Sequence, residues 1–267
     1  SEANDQSNIE IIRGNNKALI VWEDFANGID FNITGQIIDV NSMALIGDNI
    51  AICHEDLYQG SPTLAYDGDG RFIVAWEDER GVDNGDPALS GGLDVYVQIV
   101  TEEGLQYQAG GVTVASEYHD QSLPQLQHLS FNDYGDPVWM LYWIDMRSSG
   151  KEDLKNLYAQ GIEIVESSIE DDFVPTEFKV SAAYPNPFNG AVALDVEISE
   201  VGPVIFSITN ILGQMVYQQT LLPTRAGKFQ ITWNGRDQMQ KEIPSGIYFY
   251  SVSTNIDIVI GKVTYLK

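Results

Sequence analysis

Three tryptophans of this sequence are each followed, two residues later, by an aspartate: Trp22 and Asp24, Trp76 and Asp78, and Trp143 and Asp145. An aromatic ring beside a carboxylate can bind a sugar, and paired carboxylates can hydrolyse a glycosidic bond. The set recurs at equivalent places, however, and a catalytic group rarely needs a copy in every repeat. We therefore interpret each tryptophan as filling space between sheets and each aspartate as bonding turn backbone. We assign no catalytic residue and predict that this chain is not an enzyme. Whether a domain upstream of it has enzymatic activity is left open.

Other chemistry-bearing patterns are weak. Asp67 and Asp69, in an Asp-Gly-Asp-Gly stretch, could begin a calcium loop, but the rest of a calcium-loop pattern is missing and a β-turn is favoured. The lone cysteine, Cys53, excludes an intramolecular disulfide, and its alignment with Ala115 predicts a buried small residue. The sequence has no Gly-x-Ser-x-Gly elbow, P-loop or dinucleotide fingerprint. No cofactor is predicted, and Ca²⁺ is the one weak candidate.

Composition excludes several classes of partner. The 267 residues carry 14 Lys and Arg against 39 Asp and Glu, a formal net charge of −25. Such a chain repels nucleic acid and anionic membrane surfaces. Its longest apolar runs, such as Val138–Trp143, are too short to span a bilayer, so no transmembrane segment is predicted.

The elements that would position these residues are strands. Helical periodicity is nearly absent, and short β-rich runs alternate with Gly, Asn and Asp turns, which predicts an all-β fold. Gln36, Gln98 and Gln160 are spaced 62 residues apart, and the Trp-containing segments align with one another. A unit of this length with four strands suits a β-propeller-type blade. We place the blades at about 7–58, 59–120 and 121–170.

Three blades do not close a ring, because propellers have about four to eight. The third blade is also expected to lack its fourth strand. Either the chain belongs to a longer propeller, or another chain covers the open edge, since an uncovered edge invites aggregation.

The composition changes after an acidic linker. Alternating strands separated by glycine turns predict an immunoglobulin-like sandwich over residues 177–267, after a repeat region over residues 1–176. The expected sandwich core is Phe206, Ile208, Val216, Ile231, Trp233, Tyr248 and Tyr250.

This second segment resembles a known family. The stretch Tyr184-Pro185-Asn186-Pro187-Phe188-Asn189 resembles the opening motif of the type A C-terminal sorting domain of the type IX secretion system. Four further resemblances follow in the family's order: the turn with Leu212 and Gly213, Gly227 followed by Trp233, Gly235 and Asp237, the strand with Ser245, Gly246 and Tyr248, and the terminal strand Lys262–Lys267. One departure is Gln240, where the family usually has glycine.

The resemblance implies a protein of a Bacteroidetes-like bacterium, exported through the periplasm to the outer surface. It implies the type IX translocon as a partner, together with sortase-type machinery that often removes the domain and attaches the cargo to surface lipopolysaccharide. The blades resemble repeats of secreted proteins from the same bacteria, and we expect a binding or structural module there. Two alternatives stay open: the end of a secreted hydrolase whose catalytic part lies upstream, or a self-assembling extracellular subunit. The blades' partners could be further copies, other surface proteins or glycans.

Overall fold

A computed structural model describes residues 5–25, 28–80, 92–115, 120–131, 137–145, 156–165 and 175–267. The regular secondary structure of these residues consists entirely of β-strands, which confirms the all-β prediction. The strands in chain order are β1 (Gln6–Arg13), β2 (Lys17–Asp24), β3 (Asn32–Asp39), β4 (Leu45–Cys53), β5 (Gln59–Tyr66), β6 (Phe72–Asp78), β7 (Asp94–Thr101), β8 (Gly104–Leu105), β9 (Val112–Ala115), β10 (Gln121–Phe131), β11 (Pro137–Asp145), β12 (Asn156–Val165), β13 (Lys179–Val180), β14 (Val192–Ile198), β15 (Val204–Asn210), β16 (Met215–Pro223), β17 (Gly227–Trp233), β18 (Gly246–Ser253) and β19 (Ile258–Tyr265).

The chain forms two compact units. The first contains Ser1–Ser130 and Trp139–Ala159, and the second contains Phe131–Val138 and Gln160–Lys267. The second unit thus includes the end of β12, upstream of the acidic linker at 166–172, which lies outside the described residues. The division predicted at residues 176 and 177 stays a prediction.

Each repeat of the first unit is built on one sheet. The first repeat is a four-stranded antiparallel sheet in the order β1-β2-β3-β4, and the second is β5-β6-β7, with β8 and β9 both paired to β7. The third contributes β10, β11 and β12 in that order, and its expected lack of a fourth strand concerns residues outside the described part. The first repeat is thus a four-stranded meander and the other two depart from that count, and the interpretation of the repeats as propeller blades stays a prediction.

The first strand of every repeat carries the same backbone irregularity. Its third residue has a positive φ: 48° at Asn8, 49° at Ser61 and 53° at Leu123. The pairing register of β1 and of β5 shifts across this residue, as expected of a β-bulge. None of the three is glycine, so each bulge is held in a conformation that ordinary residues seldom adopt.

The second unit is a sandwich of two sheets. One has the order β13-β14-β17, and the other includes β16-β15-β18-β19. Gly161–Val165 of β12 pairs in parallel with Gln219–Pro223 of β16. Alternate side chains of both sheets form one buried core. Of the seven expected core residues six are buried in it, and Val216 is partly buried against it.

Candidate functional site

The Tyr184–Asn189 segment is hydrogen-bonded to the last strand. Asn186 uses both ends of its amide: Nδ2 donates to the Lys262 carbonyl at 2.9 Å, and Oδ1 accepts from the Thr264 amide at 2.9 Å. The Phe188 amide donates to the Thr264 carbonyl at 2.9 Å, and the Phe188 carbonyl accepts from the Leu266 amide at 2.8 Å. The opening motif and the terminal motif therefore form one piece of structure, although 76 residues separate Asn186 from Lys262.

An aromatic cluster joins these motifs to two others. Phe188 is 1% exposed, and its ring centroid lies 5.6 Å from that of Trp233 and 4.9 Å from that of Tyr265. Trp233 in turn meets Tyr248 edge to face, with the centroids 6.0 Å apart. Tilted and edge-to-face arrangements are favoured between aromatic rings. We call Phe188, Trp233, Tyr248 and Tyr265 the aromatic cluster; its members come from four of the five motifs.

The turn after β17 explains the spacing of its residues. The Trp233 indole N–H donates to the Arg236 carbonyl at 2.9 Å, and Asp237 Oδ1 accepts from the amides of Met239 and Lys241 at 3.0 and 2.9 Å. Gly235 has a φ of 70°, and a Cβ there would lie 2.9 Å from the Tyr265 ring. Only glycine fits that position without displacing the cluster.

The same turn contains the departure from the family pattern. Gln240 adopts a φ of 61°, the left-handed region, where the family's glycine would be unstrained. Its amide still donates to the Asp237 carbonyl at 2.9 Å, so the turn forms with glutamine.

The remaining motif residues lie around the cluster or away from it. Ser245 Oγ accepts from the Lys267 amide at 2.9 Å, and the Tyr248 hydroxyl donates to the Pro244 carbonyl at 2.8 Å. Gly246 begins β18, opposite Tyr265. Gly227 begins β17, at the opposite end of that strand from Trp233, and the exposed Leu212-Gly213 turn lies outside the cluster.

An exposed apolar face of the second unit was not predicted from the sequence. Ile247 and Phe249 of β18 and Ile258 and Ile260 of β19 are all exposed. They alternate with buried Tyr248, Tyr250 and Val263, so they lie on the sheet face away from the core. The signal was the run of apolar residues in β18, which leaves both sheet faces apolar. We call Ile247, Phe249, Ile258 and Ile260 the outer apolar face.

The tryptophan and aspartate of the second and third repeats are joined by buried hydrogen bonds. The Trp76 indole N–H donates to Asp78 Oδ2 at 2.8 Å, and the Trp143 indole N–H donates to Asp145 Oδ2 at 3.1 Å. Arg80 donates to both carboxylate oxygens of Asp78 and, at 2.7 Å, to the Gly110 carbonyl. The carboxylate of Asp78 is thus fully used by neighbouring residues.

The glutamate between tryptophan and aspartate connects successive repeats. Glu23 Oε1 accepts from the Ser61 amide of the second repeat at 2.8 Å. Glu77 Oε2 accepts from the Leu123 amide of the third at 2.7 Å, and its Oε1 accepts from the Ser61 hydroxyl at 2.8 Å. Both amides belong to the bulge residue of the following repeat. We call the hydrogen bond between this glutamate and the amide of the positive-φ residue in the next repeat the clasp. In the third repeat Ile144 stands where the clasp glutamate would be.

Sequence reasoning missed the clasp. The available signal was the break at Ile144, where the tryptophan and aspartate persist and the glutamate does not.

Burial, followed by the charges of Glu77 and Glu23, raises the pKa of the Tyr58 hydroxyl, which donates to Glu77 at 3.3 Å.

Two of the evenly spaced glutamines close hairpins. Gln36 Nε2 donates to the Ile46 carbonyl at 2.9 Å, and Gln98 Nε2 donates to the Gln108 carbonyl at 3.1 Å. Gln160 instead donates to Thr220 Oγ1 of β16, within the second unit. The third glutamine therefore makes a different contact at an equivalent sequence position.

The calcium and thiol candidates are engaged by other groups. Asp67 Oδ1 accepts from the amides of Asp69 and Arg71 at 2.7 and 3.0 Å, and its Oδ2 accepts from Arg71 Nε. Among the described residues no three metal-binding side chains cluster. Cys53 is buried with Sγ 3.6 Å from Asp78 Oδ2, and burial together with the Asp78 charge raises the thiol pKa to about 12.

A pocket of about 430 Å³ in the first unit is lined by aromatic rings. The Phe31 ring contacts the other two lining rings, with its centroid 5.1 Å from that of Phe25 and 6.4 Å from that of Tyr58. Asp30 and Glu79 also line it.

The fold and turn chemistry of the second unit define an immunoglobulin-like module. Residues 181–257 match the family described as the FlgD Ig-like domain. Comparison with curated proteins gives no match. In the described residues, no helix is long and apolar enough to cross a membrane.

Solved structures show distant similarity only. Dimeric latent PorU from Porphyromonas gingivalis is 11% identical at a TM-score of 0.29, with 99% of this chain and 29% of that chain covered. PorZ, a surface component of the type IX secretion system of the same species, is 11% identical at 0.26, with coverages of 98% and 39%. A glycoside hydrolase family 43 arabinoxylan arabinofuranohydrolase from Bacillus subtilis is 7% identical at 0.28, with coverages of 96% and 65%. This chain spans less than two thirds of each, and similarity at this level does not define its function.

Proposed function

We propose that residues 177–267 are a type A C-terminal sorting domain, which addresses this protein to the type IX translocon and so to the cell surface. The protein crosses the periplasm before the translocon carries it through the outer membrane. Sortase-type machinery is the second partner in this proposal.

The observation that carries the proposal is the convergence of the motifs. Four of the five contribute a ring to the aromatic cluster, and the opening segment is hydrogen-bonded along the terminal strand. A sorting signal of this kind is a folded shape, so residues far apart in sequence must be held in one arrangement. The cluster supplies the buried contacts that hold it.

The outer apolar face is the surface we propose for recognition. Its four aliphatic and aromatic side chains are exposed on the two last strands, while the motif residues beneath keep those strands in place. The same face carries Lys262 opposite Phe249 and Thr264 opposite Ile247, and an exposed apolar patch that is bordered by polar residues often marks a protein interaction site. The motif residues thus maintain the shape, and the outer face makes the contact.

The test is surface display in a bacterium that has a type IX system. Protease-accessible protein on intact cells is measured for the intact chain, for a chain lacking residues 177–267, and for Phe249→Asp. We expect display of the intact chain and periplasmic retention of the other two. Met239→Asp is the matched control, because Met239 is 90% exposed and lies outside the outer apolar face. Normal display of the truncated chain would refute the proposal.

For the repeats we propose a binding or structural role without catalysis. The carboxylates of Glu23, Glu77 and Asp78 belong to buried residues and accept hydrogen bonds from neighbouring groups, so they are used in holding the repeats together. The aromatic pocket around Phe31 fits the apolar face of a sugar ring, and the nearby carboxylates can accept hydrogen bonds from hydroxyl groups.

Calorimetric titration with neutral oligosaccharides tests this role. Binding that is lost in Phe31→Ala and kept in Phe249→Ala would support it. Binding unaffected by Phe31→Ala would place the ligand elsewhere.

A further inference from the structure

We propose that the outer face of the first repeat is a docking surface for one more repeat of the same kind, carrying its own Trp-Glu-Asp segment. The face is defined by Ile11, Ile20, Trp22 and Asp24. The partner is identified from the junctions that the first unit already contains.

The junction between the first and second repeats shows what such a partner contributes. Glu23 of the first repeat accepts from the Ser61 amide at the bulge of the second. Cys53, the last residue of β4, places its Sγ 3.6 Å from Asp78. Leu19 and Val21 pack in one core with Val74 and Trp76. A preceding repeat therefore covers a tryptophan, an aspartate and a bulge of the repeat that follows.

The second junction repeats the clasp. Glu77 accepts from the Leu123 amide at 2.7 Å, and Leu123 has the same positive φ as Ser61. The arrangement is thus a property of the repeat and is not particular to one pair.

Strand pairing identifies the same surface on the first repeat. Gln6 pairs with Asp24 as Gln59 pairs with Asp78, so Ile11, Ile20 and Trp22 correspond to Leu64, Val74 and Trp76. Val74 and Trp76 are fully buried under the first repeat, whereas their counterparts Ile20 and Trp22 are only partly buried. Ile11 is 62% exposed. The first repeat therefore leaves uncovered the apolar face that, in the second repeat, is covered by the preceding repeat.

Two polar atoms beside this face lack partners. Trp22 Nε1 and Asp24 Oδ1 are buried without a hydrogen bond, and Asp24 is only 8% exposed as a residue. In the second repeat the equivalent atoms are satisfied: Trp76 Nε1 donates to Asp78, and Asp78 also receives bonds from Arg80 and from Cys53 of the preceding repeat. The sequence has Ala26 where the second repeat has Arg80. Of the groups bonded to Asp78 only Cys53 comes from the preceding repeat, so a docking repeat would bring its residue at the Cys53 position to the unpaired Asp24 oxygen.

A second copy of this chain does not supply that partner by head-to-tail stacking. Glu23 and Glu77 are already used in the two internal junctions. The third repeat has Ile144 at the clasp position, so it offers no carboxylate to the bulge at Asn8. The occupant is therefore a repeat with a free clasp glutamate.

The test adds such a repeat to the full chain. A copy of residues 6–58 is fused directly before Gln6, because Tyr58 runs straight into Gln59 at the natural junction. Hydrogen exchange is followed by mass spectrometry in peptides that run from Tyr58 of the added copy into the resident Gln6–Arg13 segment, because the copy itself has the same Gln6–Arg13 sequence. We expect exchange at least tenfold slower than in the parent chain.

Matched variants keep the test decisive. Resident Ile11→Glu should abolish the added protection in the fused protein, yet leave the melting temperature of the parent chain unchanged because that side chain is exposed there. Glu23→Ala in the added copy removes the clasp, together with the bonds that the Ser7 and Asn8 side chains of that copy donate to the same carboxylate, and should reduce the protection. Unaltered exchange in the fused protein, or protection that survives Ile11→Glu, would overturn the proposal. So would a dimer of the parent chain in sedimentation that Ile11→Glu dissociates, since the occupant would then be a second copy.

Discussion

Replacing Phe188 by alanine tests whether the aromatic cluster holds the sorting motifs together. The ring is 1% exposed and contacts Trp233 and Tyr265. Truncating a buried phenylalanine costs about 3–5 kcal/mol, which includes the cavity left behind. Two ring pairs are lost as well, each worth about 0.5–1.5 kcal/mol beyond burial. We therefore expect Phe188→Ala to lower the free energy of unfolding by about 4–5 kcal/mol, near the top of the range for a buried phenylalanine.

A loss of that size leaves the second unit marginal, because whole domains are stable by about 5–15 kcal/mol. The backbone bonds of Phe188 to Thr264 and Leu266 do not require the ring, so the segment can still form its pairing. We therefore expect a folded but easily opened unit.

The assay is urea denaturation of the full chain, followed by pulsed hydrogen exchange at the β17 and β19 peptides so that the second unit is measured by itself. Phe249→Ala is the matched control, because the Phe249 side chain is 41% exposed on the outer apolar face and should cost less than about 1 kcal/mol. Equal losses in the two variants, or a loss below about 1.5 kcal/mol in Phe188→Ala, would refute the reasoning.

Three further predictions concern other contacts. Glu77→Ala leaves the part-buried Leu123 amide and Ser61 hydroxyl without their acceptor and should cost about 1–3 kcal/mol in thermal unfolding. The exposed Glu103→Ala should cost less than about 0.5 kcal/mol, and similar values for both would remove the clasp from the account. Gln240→Gly relieves a left-handed backbone and should stabilise by about 0.5–1 kcal/mol after the entropy cost of glycine, while Met239→Gly should not stabilise. Cys53 should resist iodoacetamide at pH 8 in the folded protein and react promptly in urea, because its thiol pKa is about 12; prompt alkylation of the native protein, read by intact mass, would contradict its burial.

Alternation and turn residues allowed much of the fold to be predicted. Apolar residues at every second position of β14 and β17 indicated a half-buried sheet, and six of the seven expected core residues are buried. Glycine at Gly235 indicated a turn with positive φ. The 62-residue spacing of Gln36 and Gln98 corresponds to the same hairpin contact in two repeats.

The parts that sequence reasoning missed depend on partners that local patterns do not specify. The bulges lie at Asn8, Ser61 and Leu123, and none is glycine, so no residue type signalled them or the glutamates that bond them. The parallel pairing of Gly161–Val165 with Gln219–Pro223 joins strands far apart in sequence, and alternation predicts a strand without naming its neighbour.

The central claim, that residues 177–267 are an export address, is tested most directly by comparing two strains of a bacterium with a type IX system, one intact and one lacking its translocon. The measured quantity is the fraction of the full-length protein that external protease digests on intact cells. The account predicts digestion in the intact strain and protection inside the periplasm of the translocon-deficient strain. Equal digestion in both strains would contradict it.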